Sequence, residues 1–203
     1  MKVAIIGAGR MGRWFTRFFL REGVRVIVSD KDEEALSKIR DDPGVQIAST
    51  EDAVKSADMV LISVPMKDFA AVAREIRPYT RPTQAIIDIC TFKEYPVQVM
   101  HHYLKAGVTL GIHPMFGPDA KSVKSQNFIF TPTTTEEEAL AKKLKAWLEG
   151  KSARVFIMSP RKHDRLLWRM RVVPYFIRAH FIGPVDRRFP QFRGFHYWIT
   201  SLT

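Results

Sequence analysis

A chain of 203 residues predicts one domain of ordinary size, or one domain plus a short appendage, and its hydrophobic fraction of 46% is enough for a core. No apolar run reaches membrane-spanning length, no signal-peptide pattern is present, and the single cysteine excludes an internal disulfide, so we expect a cytoplasmic protein without a cysteine-rich metal site. The net charge of +11 is uneven, because residues 161–203 contain nine Lys or Arg and two Asp; a solvated tail, an anion-binding surface and a nucleic-acid contact all remain possible.

The first half of the chain alternates short apolar runs with segments whose apolar residues recur at helical spacing. The apolar runs predict six strands, over residues 3–6, 24–28, 45–48, 59–64, 85–89 and 108–112. The segments between them predict helices, the first from Met11 onward and the others over residues 33–40, 51–56, 69–76 and 97–104. Strands that alternate with helices predict an α/β fold with a doubly wound parallel sheet and right-handed crossovers.

The second half of the chain has different signals for strands and helix starts. Residues 127–131 and 154–158 predict two more strands, and between them Thr135 and Glu138 predict a capping box at the start of a helix. Ser159 and Pro160 predict the start of a further helix, which Pro174 is expected to kink or end. We therefore expect a first domain over residues 1–158 and a partial, truncated helical segment over 159–203. No structure is predicted for residues 180–203.

A glycine motif follows the first predicted strand and opens the first predicted helix. It has the GxGxxG spacing and consists of Gly7, Ala8, Gly9, Arg10, Met11 and Gly12. Such glycines allow a tight turn, a close approach of the backbone to a pyrophosphate, and close packing of helix on strand. The N-terminus of the helix then offers N–H groups and a positive dipole end to the phosphates. We expect a Rossmann-type domain that binds a dinucleotide; a purely structural glycine-rich turn is the alternative.

Residues after the second and fourth strands refine the expected cofactor site. Asp30 lies where a carboxylate accepts hydrogen bonds from the adenosine ribose and repels a 2′-phosphate, which favours NAD over NADP. The neighbouring Lys31 weakens this preference, because a cation tolerates the phosphate. Ser63, Val64 and Pro65 are expected to border the cofactor, because ligands bind beyond the carboxyl ends of the strands. An ordinary strand-ending proline explains Pro65 equally well.

Two segments at the ends of the fifth and sixth strands, residues 88–93 and 111–118, are expected at the same edge of the sheet. His113 lies at the end of the sixth strand, where an imidazole can act as a base near neutral pH. A histidine that only stabilises the loop is an equally good explanation of its position. His101 and His102 are expected on a helix surface, and Cys90 is expected to be a small buried residue.

These segments resemble the prephenate/arogenate dehydrogenase family, whose members oxidise and decarboxylate prephenate or arogenate in tyrosine biosynthesis. The resemblance covers residues 1–167. It rests on the glycine motif, Asp-x-x-Thr-x-Lys at 88–93, His-Pro-Met-Phe-Gly-Pro at 113–118 and Ser-Pro-Arg-Lys-His-Asp at 159–164. The family continues into an all-helical domain that forms a homodimer and supplies basic groups for the substrate carboxylates. Residues 168–203 depart from that pattern.

The resemblance implies roles for several residues. His113 would be the base that accepts the proton of the C4 hydroxyl while a hydride passes from C4 to the nicotinamide of NAD, and loss of CO2 would then aromatise the ring. Thr91, where serine is usual in the family, would hydrogen-bond the same hydroxyl or orient His113. Lys93 would contact a substrate carboxylate. The remaining expected substrate-binding residues are Pro114, Met115 and Gly117.

Three other functions stay open from the sequence. An imine or 3-hydroxyacid reductase has the same Rossmann half, although the segment at 111–118 is not expected in those families. A dinucleotide-binding remnant without a competent substrate site is consistent with residues 168–203. Nucleic-acid binding by the Arg and aromatic residues of the tail is less favoured than an exposed fragment of a helical domain. The sequence does not distinguish prephenate from arogenate.

Overall fold

The computed structural model describes residues 1–172. The chain divides into two units, Met1–Arg165 and Leu166–Thr203, and the elements below are those of the described residues. The strands are β1 (Lys2–Ile6), β2 (Arg25–Ser29), β3 (Val45–Ile47), β4 (Met59–Ile62), β5 (Ala85–Asp88), β6 (Val108–Pro114), β7 (Asn127–Phe130) and β8 (Arg154–Ile157). The helices are α1 (Arg10–Arg21), α2 (Glu33–Ser37), α3 (Thr50–Ser56), α4 (Met66–Ile76), α5 (Glu94–Tyr103), α6 (Thr135–Glu149) and α7 (Pro160–Leu167). A 3-10 turn, Arg77–Tyr79, follows α4, and a π-helical turn, Trp168–Val172, follows α7.

The strands form one sheet in the order β3-β2-β1-β4-β5-β6-β7-β8. The first six run parallel, which confirms the doubly wound Rossmann-type fold. The last two do not follow the expectation of a parallel sheet, because β7 pairs antiparallel with β6 and β8 then runs parallel to β7. The physical reason lies in residues 115–126, which contain no helix to form the crossover that a parallel neighbour requires.

The core lies on both faces of the sheet, because successive side chains of each buried strand point to opposite sides. Val3 and Ile5 belong to one apolar cluster, and Ala4 and Ile6 belong to the other. The first cluster contains the aromatic side chains of α1, and two of them, Phe18 and Phe19, pack against Trp147 of α6. Burial of each large apolar side chain contributes about 1.5–3 kcal/mol, so these faces hold the helices to the sheet.

Helix α6 is capped one residue earlier than expected. The hydroxyl of Thr134, not Thr135, accepts a hydrogen bond from the backbone N–H of Glu137. The carboxylate of Glu137 is buried and accepts hydrogen bonds from Thr133 and Thr109. Its Oε1 also lies 2.7 Å from Nε2 of His101. The predicted capping box is therefore wrong, because a contact with β6 and α5 selects Glu137 rather than Glu138.

Within residues 1–172, no helix is both long enough and apolar enough to cross a membrane. The expected cap of α7 is present: Ser159 Oγ accepts a hydrogen bond from the backbone N–H of Lys162 at the start of this helix. The expected break at Pro174 and the Arg- and aromatic-rich stretch at 180–203 lie outside the described residues.

Candidate functional site

The glycine turn between β1 and α1 has the tight geometry that its sequence predicts. Gly7 has a φ of +108°, and a Cβ there would overlap the carbonyl oxygen of Ser63. A Cβ at Gly12 would overlap the carbonyl oxygen of Gly7. Only glycine satisfies both constraints, so α1 and the end of β4 can approach the turn closely.

Gly9 differs from the other two glycines. A Cβ built there would meet no atom within 4 Å, so the residue borders open space rather than packed protein. Gly9 is also the N-cap of α1, it supplies no side-chain cap, and the first turn of α1 contains no acidic residue. The N–H groups of Arg10 and Met11 begin the helix at this point. An exposed helix N-terminus with no acidic residue in its first turn is suited to a diphosphate.

Asp30 follows β2 and lies against the glycine turn. Its Oδ2 accepts a hydrogen bond from the backbone N–H of Ala8 at 2.5 Å, and its Oδ1 accepts one from the N–H of Asp32 at 2.9 Å. A carboxylate has further acceptor positions, so both oxygens can still accept hydrogen bonds from ribose hydroxyls. The exposed ammonium of Lys31 lies 3.8 Å from Asp68 Oδ1.

The turn after β4 adjoins the glycine turn. The backbone N–H of Ser63 donates to the carbonyl of Ile6 at 2.8 Å, and Val64 Cγ1 would contact a Cβ at Gly7. Pro65 is the N-cap of α4. The three residues therefore lie beside the glycine motif, at the switch point between β1 and β4 where ligands of such sheets bind.

His113 lies at the end of β6 and is almost completely buried, with 1% of its surface exposed. Its Nδ1 lies 2.9 Å from Nε2 of His163, a residue of α7 that is also 1% exposed. Nδ1 of His163 in turn lies 2.6 Å from Asp164 Oδ1. Two imidazoles and a carboxylate thus form a continuous hydrogen-bonded chain, which we call the His–His–Asp chain (His113, His163, Asp164).

The carboxylate that ends this chain is held by the start of α5. Asp164 Oδ1 accepts a hydrogen bond from the backbone N–H of Lys93 at 2.8 Å, and Oδ2 accepts one from the N–H of Glu94 at 2.9 Å. Burial raises the pKa of Asp164, but the hydrogen bonds from His163, Glu94 and Lys93 outweigh it, so the net pKa is lowered. Asp164 is therefore a carboxylate at neutral pH.

Lys93 occupies the interior rather than the site. Its ammonium lies 2.7 Å from both carboxylate oxygens of Asp88 and donates to the carbonyl of Ile112 at 2.8 Å, and its side chain has no exposed surface. These three contacts use the three donors of an ammonium. The expectation that Lys93 contacts a substrate carboxylate is wrong on this geometry: the carboxylate it binds is that of Asp88.

The other expected substrate-site residues lie around the end of β6. Thr91 is half-buried just beyond β5. Pro114 is the last residue of β6, the backbone N–H of Met115 donates to Asn127, and the carbonyl of Gly117 accepts from Ala120. This segment is fixed from α1, because the Trp14 ring packs 4.8 Å from that of Phe116 and its Nε1 donates to Ala120.

Two residues of the site were given no role from the sequence, namely His163 and Asp164. Nδ1 of His113 has a hydrogen-bond partner that was not expected from the sequence, Nε2 of His163. The signal was the His-Asp pair at the end of the segment 159–164, a combination able to form a relay with a third group. Cys90, by contrast, is buried as expected, and burial raises the pKa of its thiol. No group of three or more His, Cys, Asp or Glu in the described part of the chain is placed to hold a metal.

Comparison with known proteins identifies the family. Residues 15–157 match the family described as "Prephenate dehydrogenase, nucleotide-binding domain". The chain belongs to the prephenate dehydrogenase family. The matched residues include the segments at 88–93 and 113–118, so the family resemblance inferred from these motifs is confirmed. The match begins after the glycine turn and ends before His163.

Relatives of known name agree with this membership. The chain is 32% identical over 171 residues to a probable arogenate/prephenate dehydrogenase of Methanocaldococcus jannaschii, an alignment that covers 82% of this chain and 38% of that protein. Synechocystis arogenate dehydrogenase has a similar fold, with a TM-score of 0.76 at 17% identity over 100% of this chain and 79% of that one. The complex of A. aeolicus prephenate dehydrogenase with hydroxyphenyl propionate and NAD+ has a TM-score of 0.72 at 23% identity, covering 99% and 77%.

The chain spans about two fifths of the length of the first curated relatives it matches. The similarity to the solved structures, at identities below 25%, concerns the fold.

Proposed function

We propose that this chain binds NAD at the glycine turn and supplies the catalytic base for the oxidative decarboxylation of prephenate or arogenate. The observation that carries the proposal is the buried His113, which lies at the cofactor edge of the sheet at the start of a hydrogen-bonded chain to a carboxylate. A loop-stabilising histidine does not require that chain.

The glycine turn supports the NAD part of the proposal. The N-terminus of α1 beyond Gly9, with Arg10 and Met11, would bind the diphosphate, and Asp30 would bind the adenosine ribose. Ser63, Val64 and Pro65 would border the cofactor beside this turn. The solved relative from A. aeolicus holds NAD+. Bound NAD supplies a nicotinamide ring that accepts a hydride from the substrate.

The chemistry of this chain's own residues concerns the proton. Nε2 of His113 would take the proton of the C4 hydroxyl as the hydride leaves C4, so that the hydroxyl carbon becomes a carbonyl. Loss of CO2 then aromatises the ring. A positioned general base contributes about 10²–10⁴-fold in rate. Thr91 would hydrogen-bond the same hydroxyl, while Pro114, Met115 and Gly117 would line the substrate site at the end of β6.

The test is NADH formation by the purified full chain with prephenate and with arogenate, together with calorimetric titration of NAD. We expect turnover with one of the substrates, and we expect His113→Asn to lower kcat by about 10²–10⁴-fold while leaving the Kd for NAD unchanged, because the histidine meets substrate rather than cofactor. An exposed histidine, His102, gives the matched control, His102→Asn. Near wild-type turnover in His113→Asn would refute the catalytic role. NAD binding by the wild-type chain without turnover would instead support a nucleotide-binding remnant.

A further inference from the structure

Two residues behind His113, His163 and Asp164, have no role in the proposed function. Both rings of the histidine pair are buried, and Asp164 connects them to the start of α5. The direction in which the protons lie along these hydrogen bonds decides which nitrogen of His113 is basic.

The carboxylate fixes the first proton. A carboxylate accepts hydrogen bonds but cannot donate one, so Nδ1 of His163, 2.6 Å from Asp164 Oδ1, must carry its proton. When His163 is neutral, its Nε2 then has a lone pair. That nitrogen faces Nδ1 of His113 at 2.9 Å, so His113 must donate from Nδ1. The lone pair of His113 consequently lies on Nε2.

We propose that His163 and Asp164 are positioning residues that hold His113 as its Nδ1–H tautomer, with Nε2 as the basic nitrogen. This inference rests on the proposed function, in which Nε2 takes the proton of a substrate hydroxyl. The same arrangement stabilises the positive charge that His113 gains, because the charge is connected through His163 to the carboxylate of Asp164. The proton is not passed on to His163 or Asp164, so it stays available on His113 for the phenolate that loss of CO2 forms.

The positions of these groups are fixed by the scaffold on both sides. Asp164 is held by the backbone N–H groups of Lys93 and Glu94, at the N-terminus of a helix of ten residues. The Lys93 side chain is bonded to the carbonyl of Ile112, the residue before His113. One residue thus fixes both ends of the His–His–Asp chain, which limits the movement that would break its hydrogen bonds.

The experiment measures the tautomer directly, by two-bond ¹⁵N–¹H correlation spectra of the histidine rings in the ¹⁵N-labelled full chain at neutral pH. The His113 signals are assigned by their loss in His113→Asn. We expect the wild-type ring to carry its proton on Nδ1. His163→Leu removes the acceptor and should mix the two tautomers. His163→Gln places an amide oxygen where Nε2 was and should restore the Nδ1–H form, while the exposed control His102→Gln should change nothing.

Two results would overturn the inference. One is a wild-type spectrum with the proton on Nε2 of His113, as a protonated His163 would impose. The other is a His163→Leu variant that is folded and keeps the wild-type tautomer. His163→Gln keeps the argument testable if the leucine variant does not fold, because an Nε2–H form of His113 in that variant also contradicts it.

The tautomer can be measured without turnover, so a failure of this inference can be distinguished from a failure of the proposed function. An inactive chain with the Nδ1–H form would reject the dehydrogenase and retain the positioning role. If the chain is active, His163→Leu should lower kcat by up to about the 10²–10⁴-fold of a general base without changing the Kd for NAD, and His163→Gln should recover part of that loss.

Discussion

Lys93 and Asp88 form an ion pair in which both side chains are fully buried, with the ammonium 2.7 Å from each carboxylate oxygen. Asp88 ends β5 and Lys93 precedes α5, so the pair closes the connection between strand and helix. A buried charge left without its partner is strongly destabilising, which makes this pair a sensitive point of the fold.

Lys93→Met should therefore lower the free energy of unfolding at neutral pH by about 3–5 kcal/mol. Burial raises the pKa of Asp88, and the ammonium of Lys93 opposes that rise. Without the ammonium, the folded state favours the protonated carboxyl more strongly. The variant therefore keeps its stability below the pKa that Asp88 has in the unfolded chain, about 3.9. It loses stability as the pH rises through the pKa that Asp88 has in the folded variant. Urea unfolding should show a smaller defect at acid than at neutral pH.

The control for this variant is the double change Asp88→Asn with Lys93→Met, which removes both charges. It should recover part of the stability at neutral pH and lose the pH dependence. A defect in Lys93→Met of equal size at all pH values would contradict the account of Asp88.

The contrast between Gly9 and Gly12 separates cofactor contact from packing. Gly9→Ala places its methyl group in open space, so the melting temperature should stay unchanged while NAD affinity falls, because the Cβ occupies the space proposed for the diphosphate. Gly12→Ala should destabilise the fold, since its Cβ overlaps the carbonyl of Gly7. Thermal unfolding and calorimetry with NAD measure the two effects. Unchanged NAD affinity in Gly9→Ala would place the diphosphate elsewhere.

The choice between NAD and NADP is expected to depend on Asp30. Asp30→Asn keeps an oxygen that can accept from the Ala8 N–H but removes the charge that would repel a 2′-phosphate. The ratio of the Kd for NADP to that for NAD should fall by about tenfold, which corresponds to about 1.4 kcal/mol. Titration of both nucleotides measures it, with Asp41→Asn, at an exposed aspartate, as control. An unchanged ratio would exclude Asp30 from the ribose site.

A second pH dependence is expected from Glu137. Burial raises its pKa, but hydrogen bonds from Thr109, His101 and Thr133 outweigh burial, so the net pKa is lowered. A lowered folded pKa adds stability above the unfolded value of about 4.3, and that stability is lost as pH falls through the folded pKa. Glu137→Gln should therefore cost about 1–3 kcal/mol near neutral pH and less in acid, as measured by urea unfolding. The exposed Glu138→Gln should behave as wild type at every pH.

Much of this architecture was predictable, because local patterns determine it. Alternating apolar runs place the first six strands, and the steric demands of Gly7 and Gly12 explain why the turn has that sequence. The direction of β7 and the cap of α6 were harder to predict. Both depend on contacts between segments far apart in the chain, such as the one between Glu137 and Thr109.

The candidate site divides in the same way. His113 and the glycine turn are visible as motifs at strand ends, so their positions followed from the sheet. The role of Lys93 could not be predicted in this way, because a lysine at this position can bind a substrate carboxylate or a buried carboxylate of the protein equally well. Only the three-dimensional arrangement shows that Asp88 takes the ammonium and that Asp164 lies beside its backbone.

The hydrogen bonds of Asp164 also have a consequence for the order of folding. They connect the start of α5 to a residue 70 and 71 positions later, whereas the parallel strands on either side of α5 are near neighbours in the chain. Contacts of long sequence separation form late, because closing the intervening loop costs entropy. The β5–β6 pair can therefore form first, with the amides of Lys93 and Glu94 still open to water. Their protection from hydrogen exchange should appear together with the ordering of His113, as the last part of this region to reach its final form.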